Sequence, residues 1–488
     1  MSPIQLNRRQ LLRAAATAGG AALLAGCSTP GDKTTGGATT AATLAYWDWY
    51  VSQAPWVQNE IKLFQKAHSG IAIKKTTQVT DKYPDLMALA VRSGTAPDVF
   101  LLPKAPKLED QVSQGWLTPL DKWATPAWQA RFPEGSFVEG VNVFDGKIYS
   151  APFSALAPSL QLYIHHGVFK EAGLVNPDGT VFVPKTWDDI TRAAEAIATK
   201  SGGKVFGLGF GNAQKGALPW LIELFCRGAG SPGGTQSVDY RTGKWTYGTD
   251  RNYADFLTLL LDWKKRNFIY PSSMSISDEQ ARAYFAKGRF GMIVGGVWNQ
   301  PAWEEGGFTD YSLVTLPSPT GTPQAFFYGF PGGYLGAISA KAKHPDDAWA
   351  WLDWFYSKEA GKRWVEGGYG LSIYPDNNDP AAVTSPTFKQ YVAMAGTAIN
   401  GPVPAIRNPD IAKVEVAPAQ PDIPDVAAGI YTGQLKDVPK ALKELEDRLN
   451  DALSTAVAKA KGQGLKVSMA DYAFADWDPA KPYTTKRG

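Results

Sequence analysis

Cysteine and histidine are nearly absent from this chain. Its 488 residues include two cysteines, Cys27 and Cys226, and four histidines, His68, His165, His166 and His344. Two thiols cannot build a disulfide framework or a thiolate zinc site. No HExxH or H-x3-H spacing offers zinc a ligand set, and adjacent His165 and His166 do not face one ligand from a strand or helix. Cys226 lies in the apolar run 222–226, the setting of an inert buried thiol. The glycine-rich stretch 207–212 has neither dinucleotide nor P-loop spacing, and no G-x-S-x-G elbow occurs. The acidic loop 376–379 lacks the glycine and distal glutamate of a calcium hand and reads as an Asx-turn loop. No metal and no cofactor is expected.

A net field is also missing. Of the 49 lysines and arginines, Arg8, Arg9 and Arg13 stand in the first 26 residues, leaving 46 basic against 46 acidic side chains. A balanced body has nothing to draw phosphate backbones, which excludes nucleic acid as a partner. Charged residues make up 19% and hydrophobic ones 44%, the reverse of a disordered composition. The length suits two to three domains. Beyond the amino-terminal segment, no run reaches the roughly 18 apolar residues that a membrane span needs. Tryptophan is what the chain has in excess: 17 residues, whose indoles suit cores and stacking on pyranose rings.

The first residues set the compartment. Asn7-Arg8-Arg9-Gln10-Leu11-Leu12 places paired arginines before a short Ala/Gly-rich apolar run, the layout of an export signal of twin-arginine type. Leu24-Ala25-Gly26-Cys27 resembles a bacterial lipobox, with Cys27 the lipidated first residue of the mature protein. Residues 1–26 are thus read as a signal and 27–42, rich in Thr, Gly and Ala, as a flexible tether. The expected location is the outer face of the cytoplasmic membrane, in a periplasm or on a cell surface.

From Thr43 onward strand and helix patterns alternate. Strand character is read at 43–47, 71–79, 97–102, 205–210, 290–294, 311–316 and 334–339. Helices are read from residue 57 to 64, around 86–94, from 187 with a capping box at Thr186, and at 253–263, 277–286, 345–356 and 438–460. Residues 376–424 read as long loops. The β-α-β-α-β order at the start implies a doubly wound α/β lobe.

Seven local motifs then occur in one order. They are Ser93-Gly94-Thr95-Ala96-Pro97-Asp98-Val99; Gly115-Trp116-Leu117-Thr118-Pro119-Leu120; Asp145-Gly146-Lys147-Ile148-Tyr149 to Pro152; and Phe169 to Leu174 followed by Pro184-Lys185-Thr186-Trp187. Gly288-Arg289-Phe290-Gly291-Met292, Gly295-Gly296-Val297-Trp298 and His344-Pro345-Asp346-Asp347-Ala348-Trp349 complete the set. Together they resemble the bacterial extracellular solute-binding proteins of ABC importers, in the carbohydrate-binding, maltose-binding-protein-like branch. The resemblance implies an α/β periplasmic-binding-protein-like fold of two lobes, crossed three times by the chain, with a ligand cleft between them. Lobe one would comprise 43–152 plus 327–372, and lobe two 153–326 plus 373–488. It implies no enzyme but a binding component, a monomer that closes on a sugar and delivers it to permease subunits. Residues 153–159 hold no carboxylate where maltose-binding protein carries one, which argues against malto-oligosaccharide specificity.

Candidate ligand contacts follow from position and chemistry. Trp47, Asp48 and Trp49 close the first strand, where open α/β sheets bind ligands. Indole faces stack on sugar C–H faces, and carboxylates accept hydroxyl hydrogen bonds in pairs. Asp98 matches a family carboxylate, with loop capping as its other reading. Trp298 matches a stacking tryptophan, with Asn299 beside it. Asn212 lies in a loop after a strand, and Tyr328 and Gly333 lie at a re-entry into lobe one, where a hinge role is equally open. A glycoside hydrolase using the same aromatics, and a sugar sensor outside transport, are the alternatives in function.

Overall fold

In a computed structural model, residues 42–488 are described, except Asp81, 234–237, 324–326, 330, 331, the last two residues and the side chains of 327–329. The expected signal, the Cys27 lipidation site and nearly all of the tether lie outside the described residues. The strands, in chain order, are β1 (Ala42–Asp48), β2 (Ile71–Thr77), β3 (Val99–Leu101), β4 (Val143–Phe144), β5 (Lys147–Ile148) and β6 (Gln161–His165). They continue with β7 (Phe206–Gly209), β8 (Phe290–Gly295), β9 (Tyr311–Val314), β10 (Phe327–Gly329), β11 (Gly336–Ile338) and β12 (Ala398–Asn400).

An apolar run buried on both faces belongs inside a sheet flanked by helices, and Val99-Phe100-Leu101 takes that place. The first sheet has the order β11-β3-β1-β2. β1 pairs in parallel with β2, Asp48 opposite Thr77, and with β3, Trp47 opposite Phe100. β11 runs antiparallel on β3. Leu44, Tyr46 and Asp48 are the buried residues of β1, one face at the strand's period of two. Tyr46 meets Trp351 edge-on at 5.5 Å, and Phe64 and Phe355 fill the same core.

The second sheet, β7-β8-β6-β9, is mixed. β7 is parallel to β8, whereas β6 runs antiparallel to both β8 and β9. Helix Trp187–Ser201 covers it through Ile190, Ala193, Ala194 and Ile197. Its start carries the expected capping box, Thr186 with Asp189, and Gly202 ends it in the left-handed region at φ 60°. A Cβ on Gly207 would fall 2.2 Å from that of Ala194, so helix and sheet touch because this position has no side chain. Helices Ile423–Thr432 and Val438–Gly462 return to this lobe, burying Val426, Ile430, Leu442 and Leu445 in its core.

The chain passes between the sheets three times: after β5, after β9, and after Ser372. Two passages run side by side, with Ser154 bridged to Ser372 and the Ile373 N–H donating to the Phe153 carbonyl at 2.9 Å. The third touches them at Gly333, φ 107°, where a Cβ would lie 3.5 Å from that of Pro152. No helix among the described residues is long and apolar enough to cross a membrane.

Candidate functional site

The carboxyl ends of the strands in each sheet carry the polar and aromatic groups. On the first lobe, β1 ends at Asp48, whose side chain is fully buried. Thr77, opposite it in the ladder, donates its hydroxyl to Asp48 Oδ1 at 2.7 Å, and Lys75 Nζ stands 3.3 Å from Oδ2 and also donates to Thr77. Burial raises the Asp48 pKa, against the pull of Lys75, Thr77 and the Tyr50 backbone N–H. Trp49 packs edge-on against Tyr83 at 5.0 Å, and Tyr83 donates its hydroxyl to the Leu101 carbonyl at 2.7 Å, pinning the end of β3. Trp47, half-buried, leans on the same cluster.

On the second lobe, the Gly295-Gly296 pair after β8 leads into Trp298. A Cβ on Gly296 would lie 2.0 Å from the Trp298 ring, so only glycine lets the indole fold back over the chain here. Trp298 stacks on Trp220 from helix Ala217–Gly228, with centroids 6.0 Å apart and planes 15° from parallel. The indole lies near the Asp278 carboxylate, and Arg282 Nε sits 3.3 Å from Asp278 Oδ2. Desolvation raises the Asp278 pKa, with Arg282 and Trp298 acting in the opposite sense.

The two lobes meet at this level. Lys104, just beyond β3, holds its ammonium 5.9 Å from the Trp220 ring centre, within cation–π range. Arg282 Nη1 donates to Ser52 Oγ, four residues beyond β1, at 2.9 Å. Loops from the carboxyl ends of β1 and β3 thus face the Trp220–Trp298 stack and the Asp278–Arg282 pair across one cleft.

A family model for the bacterial extracellular solute-binding proteins matches residues 37–362. The chain belongs to this family. No curated protein sequence matches it. In fold this solute-binding protein is similar to an ABC transporter solute-binding protein of Thermotoga lettingae bound with alpha-D-tagatose, at TM-score 0.65 and 21% identity over 84% of this chain and 100% of that one. It is also similar to the GacH receptor of Streptomyces glaucescens, solved unliganded and with acarbose (TM-score 0.63, 18% identity, 85% and 98% covered). A third likeness is the maltose/maltodextrin-binding domain of Bdellovibrio bacteriovorus bound to maltotriose (0.63, 17%, 86% and 99%). The two-lobed α/β fold implied by the sequence motifs is the fold of this solute-binding protein.

The candidate residues divide in space. Asp48 and Trp49 stand at the carboxyl end of β1 on the first lobe, with Trp47 one position back from Asp48, and Trp298 follows β8 on the second. Asn299 lies behind Trp298, fully buried, with neither its Oδ1 nor its Nδ2 hydrogen-bonded. Asp98 stands apart: it precedes β3 beside the middle of β1, and its carboxylate accepts from the Ala45 N–H at 2.9 Å and the Lys343 N–H at 3.2 Å. Asn212 is turned inward as well, accepting from the Leu218 N–H at 2.8 Å to hold the start of helix Ala217–Gly228. Tyr328 is in β10, which pairs in parallel with β12. Gly333 packs on Pro152, and its carbonyl accepts from Asn142 at 2.8 Å.

Trp220, Asp278, Arg282, Lys104 and Ser52 were not singled out from sequence. Trp220 offered one signal, an indole just after the Gly216 turn in an apolar helix, but its pairing with Trp298 spans 78 positions and exists only in the fold.

Proposed function

We propose that this chain is the substrate-binding component of an ABC importer and that it holds a neutral sugar or oligosaccharide in the interlobe cleft without turning it over. The observation that carries the reading is the Trp220–Trp298 stack beside the Asp278 carboxylate, facing Lys104 and Ser52 from the other lobe. Flat indoles cover the apolar face of a pyranose, while carboxylate, ammonium and guanidinium groups take its hydroxyls. Sugar-bound proteins of the same fold support that class. Hinging at the passages near residues 152, 333 and 372 would close the lobes over the ligand, and the closed monomer would dock on the permease. The lack of a carboxylate in 153–159 favours a sugar other than a malto-oligosaccharide.

Thermal unfolding of the mature chain, with Cys27→Ser to keep it free of lipid, tests this against mono-, di- and oligosaccharides. Amino acids, peptides and glycerophosphodiesters serve as controls. The expected result is a rise in the unfolding temperature with one set of sugars, lost in Trp298→Ala, and no cleavage products. A rise with a charged control alone would overturn the sugar assignment. We further propose that Cys27 carries lipid: cells fed an alkyne fatty acid should label the protein, and Cys27→Ala should abolish the label.

A further inference from the structure

The excess of tryptophan is not confined to the cleft. On the outside of the first lobe, Trp123 and Trp349 stack with centroids 5.6 Å apart and planes 9° from parallel, and Trp128 packs on Trp349 at 5.1 Å. Beside them an open groove of about 1080 Å³ is lined by Trp349, Trp354 and Tyr374 together with Arg131, Asp353 and Lys358. It is larger than the roughly 300–1,000 Å³ typical of small-molecule pockets. Its far edge is His68, at the end of helix Ala54–Ala67. That helix starts beside Ser52, so its 14 residues set the groove's edge about 20 Å from the cleft.

The groove's lining balances Arg131, Lys358 and Arg363 against Asp353, Glu359 and Asp376, and most of these charges are paired. Arg131 pairs with Asp353 at 2.8 Å, Lys358 with Asp376 at 2.6 Å, and Arg363 grips buried Glu60 through two bonds of 2.7 and 2.6 Å. Trp354 also turns its indole N–H inward, to Glu60, which leaves ring surface as what it has to offer the groove, while buried Trp128 supports Trp349 from behind. An anionic or cationic partner meets no net field here. A neutral polyhydroxyl chain meets indole faces for its C–H surfaces and ionised groups for its hydroxyls. We propose that this groove is a second carbohydrate site, one that holds a neutral polysaccharide chain on the outer face of the first lobe, separate from the cleft.

Native gel electrophoresis of the full chain in Triton X-100, with soluble xylan, β-glucan or starch cast into the gel, tests this. The expected result is retardation by at least one polymer. Trp298→Ala should keep it, and Trp349→Ala should weaken it about tenfold. Ala350→Glu, which fills the groove lining while removing no packing, should do the same and guards against a misfolded Trp349→Ala. Retardation lost in Trp298→Ala but kept in both groove variants would overturn the proposal. So would no retardation by any polymer, or groove variants that change only self-association. Small-sugar binding to the cleft can fail while polymer retardation persists, so the two readings fall separately.

Discussion

The two walls of the cleft use the same chemistry in opposite conditions. On the first lobe Asp48 is fully buried and committed to Thr77 and Lys75. On the second, the Asp278 side chain is 37% exposed and shares a recess with Trp298, itself half-buried. Both carboxylates are held above their ordinary range by desolvation, and both have a cation at 3.3 Å. The difference separates a group that builds the wall from one that can still change partners. Asp48 fixes the ends of β1 and β2, whereas Asp278 and the nearby indole stay partly open to solvent.

The largest test of that contrast is Asp48→Ala, which strands the Lys75 ammonium in a largely buried site. It should cost about 3 kcal/mol in denaturant unfolding. The pH dependence has a definite sign. A carboxyl whose folded pKa is raised adds stability that is fully present below its unfolded value near 3.9 and is lost as pH rises through the folded value. Asp48→Asn should remove that decline from a stability profile taken upward from about pH 4. Stability unchanged in both variants would put Asp48 on the ligand instead.

Trp298→Ala should act the other way, on binding rather than on folding. It is expected to weaken ligand affinity roughly 30-fold, about 2 kcal/mol, in calorimetric titration with the sugar that shifts unfolding most. Asp278→Asn should weaken it about tenfold, the value of hydrogen bonds to a charged acceptor. Wild-type affinity should rise with pH as Asp278 ionises through its raised pKa, and the amide variant should show a flat profile. A slope retained in the variant would assign the titration elsewhere.

The smallest effect belongs to the contact between the walls. Ser52→Ala removes the acceptor of the Arg282 hydrogen bond at the cleft edge. A single partly buried bond of this kind is worth about 1 kcal/mol. The expected outcome is a few-fold loss of affinity with a slightly larger radius of gyration in solution scattering.

Much of the fold was legible because it rests on local rules. The Thr186–Asp189 box, the strands around 43–47, 71–79 and 290–294, and the long helix near 438–460 all follow from capping and periodicity. β6 was missed, although it is central to the second sheet. Its five residues between Pro158 and His166 are too short for a period to show, and its antiparallel pairing to β8 is settled by residues 130 positions away. Helices Pro386–Ala393 and Ile423–Thr432 also escaped notice, inside or beside a Pro-rich stretch read as loops. Asp98 shows a different limit: sequence left a ligand role and loop capping both open, and in the fold two backbone amides, those of Ala45 and Lys343, donate to its carboxylate.

By itself, then, the sequence determined the class. Balanced charge, scarce cysteine and histidine, surplus indole and seven ordered motifs narrow the chain to an exported binding protein of two α/β lobes. These are properties of composition and of short segments, where each residue acts with its near neighbours. Which residues the two lobes bring against one another was decided by tertiary structure alone. Trp220 meets Trp298, Arg282 meets Ser52 and Lys104 meets Trp220 across 78, 230 and 116 positions, because three passages of the chain bring the carboxyl ends of two sheets face to face. Contacts of that range leave no period or spacing in a sequence; they arise only when buried cores fix where each strand ends.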